Sequence, residues 1–230
     1  MTSSSQNGIT QNVAIAQNGT IVHNILNRIT VKLCPPSSEA YRSIIPQLAV
    51  LLKSCVDTNI TMNFLQPFSI QDASAFWLSA EEKVVQMKQF VLIAQESQEA
   101  QEKEADDHDF HHEKLEPPVI LGCVILYLAQ TPNAKHWGEV GKLIIGSEHR
   151  KRSPCSCYVP RGIGKMLLDR MEDEARKHSL KILVLDTQTG SGAELFYERV
   201  GYSKVGVLPD VNLAPDRGQY TSCTFFYKRL

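Results

Sequence analysis

The run Val119–Leu128 constrains the fold of this chain most, because it contains no charged side chain. A strand that is apolar on both faces belongs in the middle of a sheet whose two faces are covered. Two further runs, Phe90–Ala94 and Lys181–Asp186, are predicted to be buried strands. We therefore predict an α/β (α+β) fold in which helices cover both faces of a mixed central sheet.

The remaining predicted elements follow from apolar spacing and from turn residues. Ile29–Leu33 is predicted as a first strand, and Ser38 caps a helix whose apolar residues recur at helical spacing from Ile44 to Leu52. The other predicted elements are a helix around Ile70–Trp77, a strand at Val140–Ile145, helices at about Gly162–His178 and Ser191–Val200, and a last strand at Thr221–Lys228. The predicted order is β-α-α-β-β-β-α-β-α-β.

Composition limits the domain organisation and the partners. Residues 1–28 are rich in Ser, Asn, Gln and Thr, which predicts a flexible tail before one domain at 29–230. The net charge is -1 without a basic stripe, and no apolar run approaches the ~18–20 residues that span a bilayer. We expect a small-molecule partner, no nucleic acid and no membrane, for a monomer or a homodimer.

Six cysteines are spread from position 34 to position 223 without a C-x-x-C pair, which predicts free thiols and a cytoplasmic location. The loop 95–118 is predicted to be solvated, since residues 96–116 hold nine acidic residues and two lysines, a charge of 2 − 9 = -7. This loop contains His108, Asp109, His111 and His112. Without cysteines a solvated polar run is the better interpretation, so we predict no metal.

A glycine-containing loop enters the helix at residue 162, and an insert interrupts it. Arg150 and Lys151 follow the strand Val140–Ile145, and the helix begins at Arg161-Gly162-Ile163-Gly164-Lys165. Removing nine residues, either 152–160 or 153–161, would join the two parts into Arg-Lys-Arg-Gly-Ile-Gly. Unpaired N–H groups at a helix start, with cations nearby, suit a pyrophosphate.

Two geometries compete for the insert. In the first, residues 152–160 bulge outward and leave the cradle intact, which loop entropy permits. In the second, Val159-Pro160-Arg161 replaces the first three cradle positions, and Pro160 has no N–H to donate. Losing that donor would weaken binding by about ten- to a hundredfold. An erroneous gene model or an alternative splice is a third explanation.

A dinucleotide-binding loop is the main alternative to this interpretation of the glycines. Gly162-x-Gly164 with Asp186 about twenty residues later imitates the pattern of such a loop. The third small residue would fall at Leu167, however, and Pro154 and Pro160 prevent a strand from running directly into Gly162. The pattern therefore does not support a dinucleotide site.

Three segments in the second half resemble the GCN5-related N-acetyltransferase (GNAT) family, which has the acyl-CoA N-acyltransferase fold. Glu139–Ile145 resembles the fourth strand of the family, Arg161–Leu168 the start of its pyrophosphate helix, and Leu195–Tyr202 its closing helix-to-strand turn. The similarity covers roughly residues 30–230. Pro132-Asn133, Leu185-Asp186-Thr187 and Pro209-Asp210 resemble the tabtoxin-resistance-type branch.

The resemblance implies a binding site for acetyl-CoA as co-substrate. Backbone N–H groups of Leu143, Ile144 and Ile145, on a strand that splays from its neighbour, are expected to hold the thioester carbonyl. The pyrophosphate is expected at Arg150, Lys151 and the residues from Arg161 to Lys165. Ser191 lies where the family often has a polar residue near the pantetheine arm, although a helix N-cap explains it equally well.

The resemblance also implies catalytic and acceptor-binding residues. Tyr197 matches the tyrosine that protonates the coenzyme thiolate in many members, and Glu139 is the candidate base. A partly buried aromatic residue and a solvated strand-end charge are their respective structural alternatives. Phe64, Asp72 and Trp77 lie where the family usually lines its acceptor pocket, while Phe64 and Trp77 are equally plausible core residues.

These observations favour an enzyme that acetylates a primary amine, preferably of a small molecule, by direct attack on acetyl-CoA. The alternative is a degenerate acyl-CoA-binding protein that keeps the fold and has lost turnover, since its pyrophosphate loop is interrupted.

Overall fold

The computed structural model describes residues 29–60, 62–96, 118–149 and 162–230. Within these ranges the strands are β1 (Ile29–Leu33), β2 (Gln89–Glu96), β3 (Ile120–Leu128), β4 (Trp137–Ile145), β5 (Ile182–Gln188), β6 (Ser203–Leu213) and β7 (Tyr220–Arg229). The helices are α1 (Ser38–Asp57), α2 (Ile70–Ser79), α3 (Glu81–Val85), α4 (Ile163–Lys177) and α5 (Gly192–Arg199). The tail 1–28, most of the acidic loop 95–118 and the insert 152–160 lie outside the described residues.

All seven of these strands form one sheet in the order β1-β2-β3-β4-β5-β7-β6. Strands β4 and β5 pair in parallel, and the other neighbours pair antiparallel. This confirms the predicted mixed sheet. The ten predicted elements are found in the predicted order, and the structure adds the short helix α3 and the strand β6.

The sequence prediction is wrong at β6, where it placed no strand. Pro209 lacks an N–H, Asp210 has a φ of 51°, and the register of β6 with β7 shifts between Leu208 and Asn212. These features interrupt the alternation that identifies a strand from sequence. A strand at the edge of a sheet tolerates them because it has a partner on one side only.

Helices cover both faces of the sheet, as predicted. Helices α1 and α2 pack on one face, where Leu48, Leu52 and Trp77 are fully buried and the Tyr41 hydroxyl donates to the Trp77 carbonyl at 2.9 Å. Helix α4 packs on the other face through Leu167 and the buried residues around it, and the aromatic residues of α5 join the same core. The strands β2 and β3 lie between these layers with both faces buried over most of their length, and their segments Phe90–Ala94 and Ile120–Leu126 are apolar.

Strands β4 and β5 separate after a short paired segment. They pair only from Trp137 to Glu139 on β4 and from Ile182 to Val184 on β5. Beyond these positions β4 continues along β3 and β5 continues along β7. A V-shaped cleft therefore opens between two strands of the same sheet.

A bulge in β4 lies at the opening of this cleft. Ile125 pairs with Gly141 and Cys123 with Ile144, so that one residue of β3 faces two residues of β4. Lys142 is one of the two, and its φ of 50° lies in the left-handed region. The bulge turns the Lys142 side chain towards the face that α1 and α2 cover, where its ammonium lies over the rings of Phe64 and Phe76.

Two loops that are far apart in sequence are joined on this face. The Asn59 side chain donates to Asp216 Oδ2 at 2.9 Å and accepts from the Asp216 N–H at 3.1 Å. The Gln66 N–H donates to the Pro215 carbonyl at 2.7 Å. The loop between α1 and α2 is thereby held against the loop between β6 and β7.

Candidate active site

Three charged residues lie where β4 and β5 separate. Glu139 belongs to the last β4–β5 pair, Lys142 occupies the bulge of β4, and Asp186 lies two residues beyond the last paired position of β5. Each of them alters the electrostatic environment of another. Asp186 raises the pKa of Glu139 and Lys142 lowers it, while both carboxylates act to raise the pKa of Lys142.

The carboxyl of Glu139 has a pKa above its ordinary value. Partial desolvation by the walls of the cleft is the main cause, and the charge of Asp186 is the second. The side chain nevertheless stays exposed to solvent, so a ligand or a water molecule can reach it. Tyr127, which lies opposite Glu139 on β3, has a raised pKa through burial and the nearby carboxylate, so its phenol is neutral.

The bulge determines which backbone groups of β4 face the cleft. The Cys123 thiol lies 3.7 Å from the Lys142 carbonyl, to which it donates, and the Ile144 backbone bonds to the same thiol. Ile144 therefore directs its N–H towards β3, as Gly146 does when it donates to Leu121 at 2.9 Å. Because successive N–H groups of a strand alternate in direction, those of Leu143 and Ile145 point towards the cleft.

Helix α4 begins next to this strand without a side-chain cap. Its N-cap is Gly162, with a φ of 63° that favours glycine, and no acidic residue lies in its first turn. The first helical bond is from the Met166 N–H to the Gly162 carbonyl at 3.1 Å. The N–H groups of Ile163, Gly164 and Lys165 thus precede the helical ladder and point outward from its positive end.

The described side chains at this helix start contact other protein groups. Position 164 requires a small residue, because a Cβ there would lie 3.2 Å from the ring of Phe196. Ile163 is buried in the core. Lys165 forms an exposed ion pair with Asp169 at 2.6 Å. The predicted ligands Arg150, Lys151 and Arg161 lie outside the described residues, so the described part of the cradle consists of backbone groups.

Tyr197 reaches the cleft region from α5. It is buried against Tyr202 and Phe226, and its pKa is raised by burial and then by the charge of Asp186. The phenol is therefore neutral at physiological pH and a weaker acid than an exposed tyrosine. Ser191 is the N-cap of α5, because its hydroxyl accepts from the Glu194 N–H at 3.3 Å.

Glu194 fixes α5 against the sheet. Its carboxylate accepts from Lys204 at 2.8 Å, from the Gly190 N–H at 2.6 Å and from Thr224 at 2.9 Å. These bonds lower its pKa to about 2. The helix that carries Tyr197 is thus attached to the loop before it and to β6 and β7.

The predicted acceptor residues are not all on the cleft. Phe64 is half-buried, lies 5.5 Å from the Lys142 ammonium and lines a groove of about 320 Å³. The other residues of this groove are Asn63, Leu65, Val211, Asn212 and Leu213. Trp77 is fully buried in the core, and Asp72 is exposed in a capping box with Ser69 at the start of α2.

Sequence reasoning missed Lys142 and Asp186 as cleft residues. A single lysine inside the apolar segment Val140–Ile145 is a readable signal, since a lysine on a covered strand needs a partner. Asp186 likewise ends a buried strand. Their proximity depends on the parallel pairing of β4 with β5 and on the bulge, neither of which the sequence specifies.

The sheet, the splayed strands and the uncapped helix together define the acyl-CoA N-acyltransferase fold. Residues 75–202, which are 128 of the 230, match the Acetyltransferase (GNAT) family. The chain belongs to this family, and it is an acyltransferase.

Several solved structures share the fold. A Salmonella typhimurium protein assigned as an acetyltransferase, solved with acetyl-CoA, is 15% identical with a TM-score of 0.59, covering 88% of this chain and 94% of its own. The ribosomal-protein-alanine N-acetyltransferase of Brucella melitensis is 16% identical with a TM-score of 0.56, covering 87% and 99%. A protein assigned as a phosphinothricin N-acetyltransferase is 13% identical with a TM-score of 0.61, covering 88% and 98%.

These similarities establish the fold and leave the acceptor open. The last two proteins are named for a ribosomal protein and for a small molecule, although both superimpose on the same chain. Function within a fold is set by the site and not by the fold itself. No helix in the described ranges is long and apolar enough to cross a membrane.

Proposed function

We propose that this protein transfers the acetyl group of acetyl-CoA to a primary amine of a small molecule by direct attack. The observation that carries the proposal is the cleft between β4 and β5, where Glu139 lies at the point of separation. We call the α4 start with the Leu143 and Ile145 backbone the donor side. The acceptor side is formed by Glu139, Lys142, Asp186 and Phe64.

The donor side supports binding of acetyl-CoA through its backbone. The N–H groups of Ile163, Gly164 and Lys165 would receive the pyrophosphate at the positive end of α4. The N–H of Leu143, which points into the cleft, would donate to the thioester oxygen and stabilise the negative charge that develops there.

Glu139 is the proposed general base. An acceptor amine arrives as an ammonium ion, and it must lose a proton before it can attack. A carboxylate whose pKa is raised accepts that proton more readily than an ordinary glutamate does, which supports this role. Asp186 keeps a second negative charge nearby and would help to draw the ammonium into the cleft.

Tyr197 is the proposed donor to the departing thiolate. The new C–N bond forms as the C–S bond breaks, and the sulfur needs a hydrogen-bond donor as it acquires charge. Burial raises the pKa of Tyr197, which keeps the phenol neutral and able to donate. A phenol this weakly acidic stabilises the thiolate by a hydrogen bond, and solvent then completes the protonation.

The size of the acceptor side supports a small acceptor. A groove of about 320 Å³ adjoins the acceptor side at Phe64, and its volume lies at the low end of small-molecule pockets. The loops on the two sides of the groove are joined through Asn59 and Asp216, which limits how far the groove can open.

The described cysteines, Cys34, Cys55, Cys123 and Cys223, are buried thiols, and this supports a reducing, cytoplasmic location.

Calorimetry with acetyl-CoA, combined with a thiol-release assay over a panel of amines, tests the proposal. We expect binding of acetyl-CoA and release of thiol that depends on an amine. Binding without turnover for every amine would favour a degenerate acyl-CoA-binding protein instead. Absence of binding would contradict both functions.

The insert requires its own test. Deletion of residues 152–160 leaves the affinity for acetyl-CoA unchanged if the insert bulges away from the cradle. An affinity gain of tenfold or more means that the insert replaces cradle positions.

A further inference from the structure

We propose that Lys142 binds an acidic group of the acceptor, so that the substrate is an amine that also carries a carboxylate. This inference rests on the proposed acetylation of an amine in the cleft. It adds the chemical class of the acceptor and a residue that selects it.

Among the described residues, no carboxylate forms an ion pair with the ammonium of Lys142, which lies on the acceptor side. It donates to the Met62 carbonyl at 3.1 Å, the one hydrogen-bond acceptor found for it within the described parts of the chain. It also lies 5.5 Å from the ring centroids of Phe64 and Phe76. A lysine ammonium carries three protons, so this environment leaves it with capacity for a further acceptor.

The position of Lys142 is unfavourable for a lysine that has no ligand. Burial lowers its pKa, and the charges of Asp186 and Glu139 oppose that effect without either carboxylate forming an ion pair with it in the described structure. Its φ of 50° adds a backbone conformation that most side chains avoid. Strained and partly desolvated charges of this kind are common at functional sites, where a ligand provides the missing partner.

The charges of the acceptor side are arranged for two-point recognition. Glu139 and Asp186 present negative charge where the ammonium of the acceptor must lie to be deprotonated and acetylated. Lys142 presents positive charge on the same face, beside the aromatic rings of Phe64 and Phe76. The ammonium of such an acceptor would lie near Glu139 and Asp186, and its carboxylate would pair with Lys142. An amine without a carboxylate would provide no anionic partner for Lys142.

Binding to the full-length protein saturated with coenzyme A tests this inference independently of turnover. The probes are the standard L-amino acids, β-alanine and γ-aminobutyrate, each compared by calorimetry with its carboxamide. A carboxamide keeps the ammonium and the carbon skeleton but has no negative charge. We expect at least one acid to bind about tenfold or more tighter than its amide, the effect of one charged hydrogen bond.

Variants at position 142 show whether the lysine causes this preference. Lys142→Met is expected to remove the preference for the acid over its amide, and Lys142→Arg is expected to retain most of that preference. Lys177→Met is the matched control, because Lys177 lies at the exposed end of α4. If Lys142→Met does not fold, the acid–amide comparison in the wild type and in Lys142→Arg still decides whether the inference holds.

The inference and the proposed function can fail separately. Acetylation of amines without a preference for acids, or equal losses for acid and amide in Lys142→Met, overturns the inference alone. Lys142-dependent binding of an acid without thiol release contradicts the proposed function and leaves the acid site in place. Failure of every acid in the panel to bind overturns the inference.

Discussion

The donor side and the acceptor side of the cleft are built from different kinds of groups. The donor side presents backbone N–H groups of β4 and α4, whose positions depend on a strand that splays and on a glycine at a helix start. The acceptor side presents side chains, namely Glu139, Lys142 and Phe64, with Asp186 across the cleft. A site made of backbone survives wide sequence divergence, whereas a site made of side chains can change its ligand with each substitution. Two solved structures that are 13–16% identical to this chain share its fold and are named for different acceptors.

Glu139→Gln is expected to have the largest effect, on the acceptor side. We predict that kcat/KM falls roughly a hundredfold or more, because a positioned base contributes on that scale. The affinity for acetyl-CoA is expected to stay unchanged. In the wild type kcat/KM should fall as the pH is lowered through the raised pKa of Glu139, since only the ionised carboxylate accepts a proton. Initial rates measured as a function of pH test the loss in the variant and the pH dependence of the wild type. Glu39→Gln is the control variant, because Glu39 is an exposed glutamate.

Removal of the Glu139 charge should increase the stability of the folded protein, although it lowers the activity. The folded state raises the pKa of Glu139, so the ionised carboxylate is less stable in the folded than in the unfolded chain. Glu139→Gln is therefore expected to raise Tm slightly at neutral pH, where the wild-type carboxyl is ionised. The gain should vanish below the unfolded pKa of about 4.3. A lower Tm at neutral pH would contradict this account of the cleft.

Gly162→Ala tests the donor side. A φ of 63° costs an L-residue about 1–2 kcal/mol, and relieving that strain rotates the first N–H groups of α4 away from their present direction. We expect about a tenfold loss of affinity for acetyl-CoA by calorimetry. The control is Gly206→Ala on the edge strand, where an added Cβ meets nothing within 4 Å and should leave the affinity unchanged. Equal effects of the two variants would show that the start of α4 does not contribute specifically to the binding of acetyl-CoA.

Two tyrosines on the same core provide a matched pair for an effect of similar size on kcat. Tyr197→Phe is expected to lower kcat about tenfold and to leave KM unchanged, since it removes the hydrogen bond to the leaving thiolate. Tyr202→Phe should leave kcat unchanged, because the Tyr202 hydroxyl is buried and has no hydrogen-bond partner among the described residues. Steady-state kinetics of both variants compare them. An equal loss in both would mean that Tyr197 acts through packing.

Asn59→Ala is expected to have the smallest effect and to act only on the acceptor side. The substitution removes both bonds to Asp216 and loosens the contact between the two loops that border the groove. We predict a KM for the acceptor that rises about two- to fivefold, the effect of losing exposed hydrogen bonds of about 0.5–1 kcal/mol in total. The KM for acetyl-CoA should not change. An increase in both KM values would show that the two sides are not independent.

The same division explains how much could be predicted from the sequence. The α4 start of the donor side lies in a continuous segment, so its glycine and the amphipathic helix predict it locally, whereas the direction of the Leu143 N–H depends on the bulge. The acceptor side joins residues as distant as Phe64 and Lys142, and the bulge that brings them together depends on the register with Cys123 on β3. Such a register is decided by tertiary packing, which a local pattern does not contain.

Two residues show where local signals were available and where they were not. Ser69 and Asp72 are spaced as a capping box, a pattern that places Asp72 at a helix start by its local role. Trp77 lies on a helix whose neighbours are known only from the fold, so its complete burial was one of two open interpretations. The strand β6 was missed because Pro209 and Asp210 disrupt its pattern, and only its pairing with β7 defines it.

Initial-rate kinetics with acetyl-CoA and an acceptor varied together test the central claim of direct attack in the cleft most directly. The account predicts intersecting double-reciprocal plots, because both substrates must be bound before the acetyl group moves. It also predicts no covalent acetyl-enzyme in the intact mass of protein mixed with acetyl-CoA alone. Parallel plots with an acetylated cysteine would contradict it, and Cys223, whose thiol donates to Asp186 at 3.4 Å, is the residue to inspect. Burial raises the pKa of Cys223 to about 11, so the thiol is protonated and we expect it to remain unmodified.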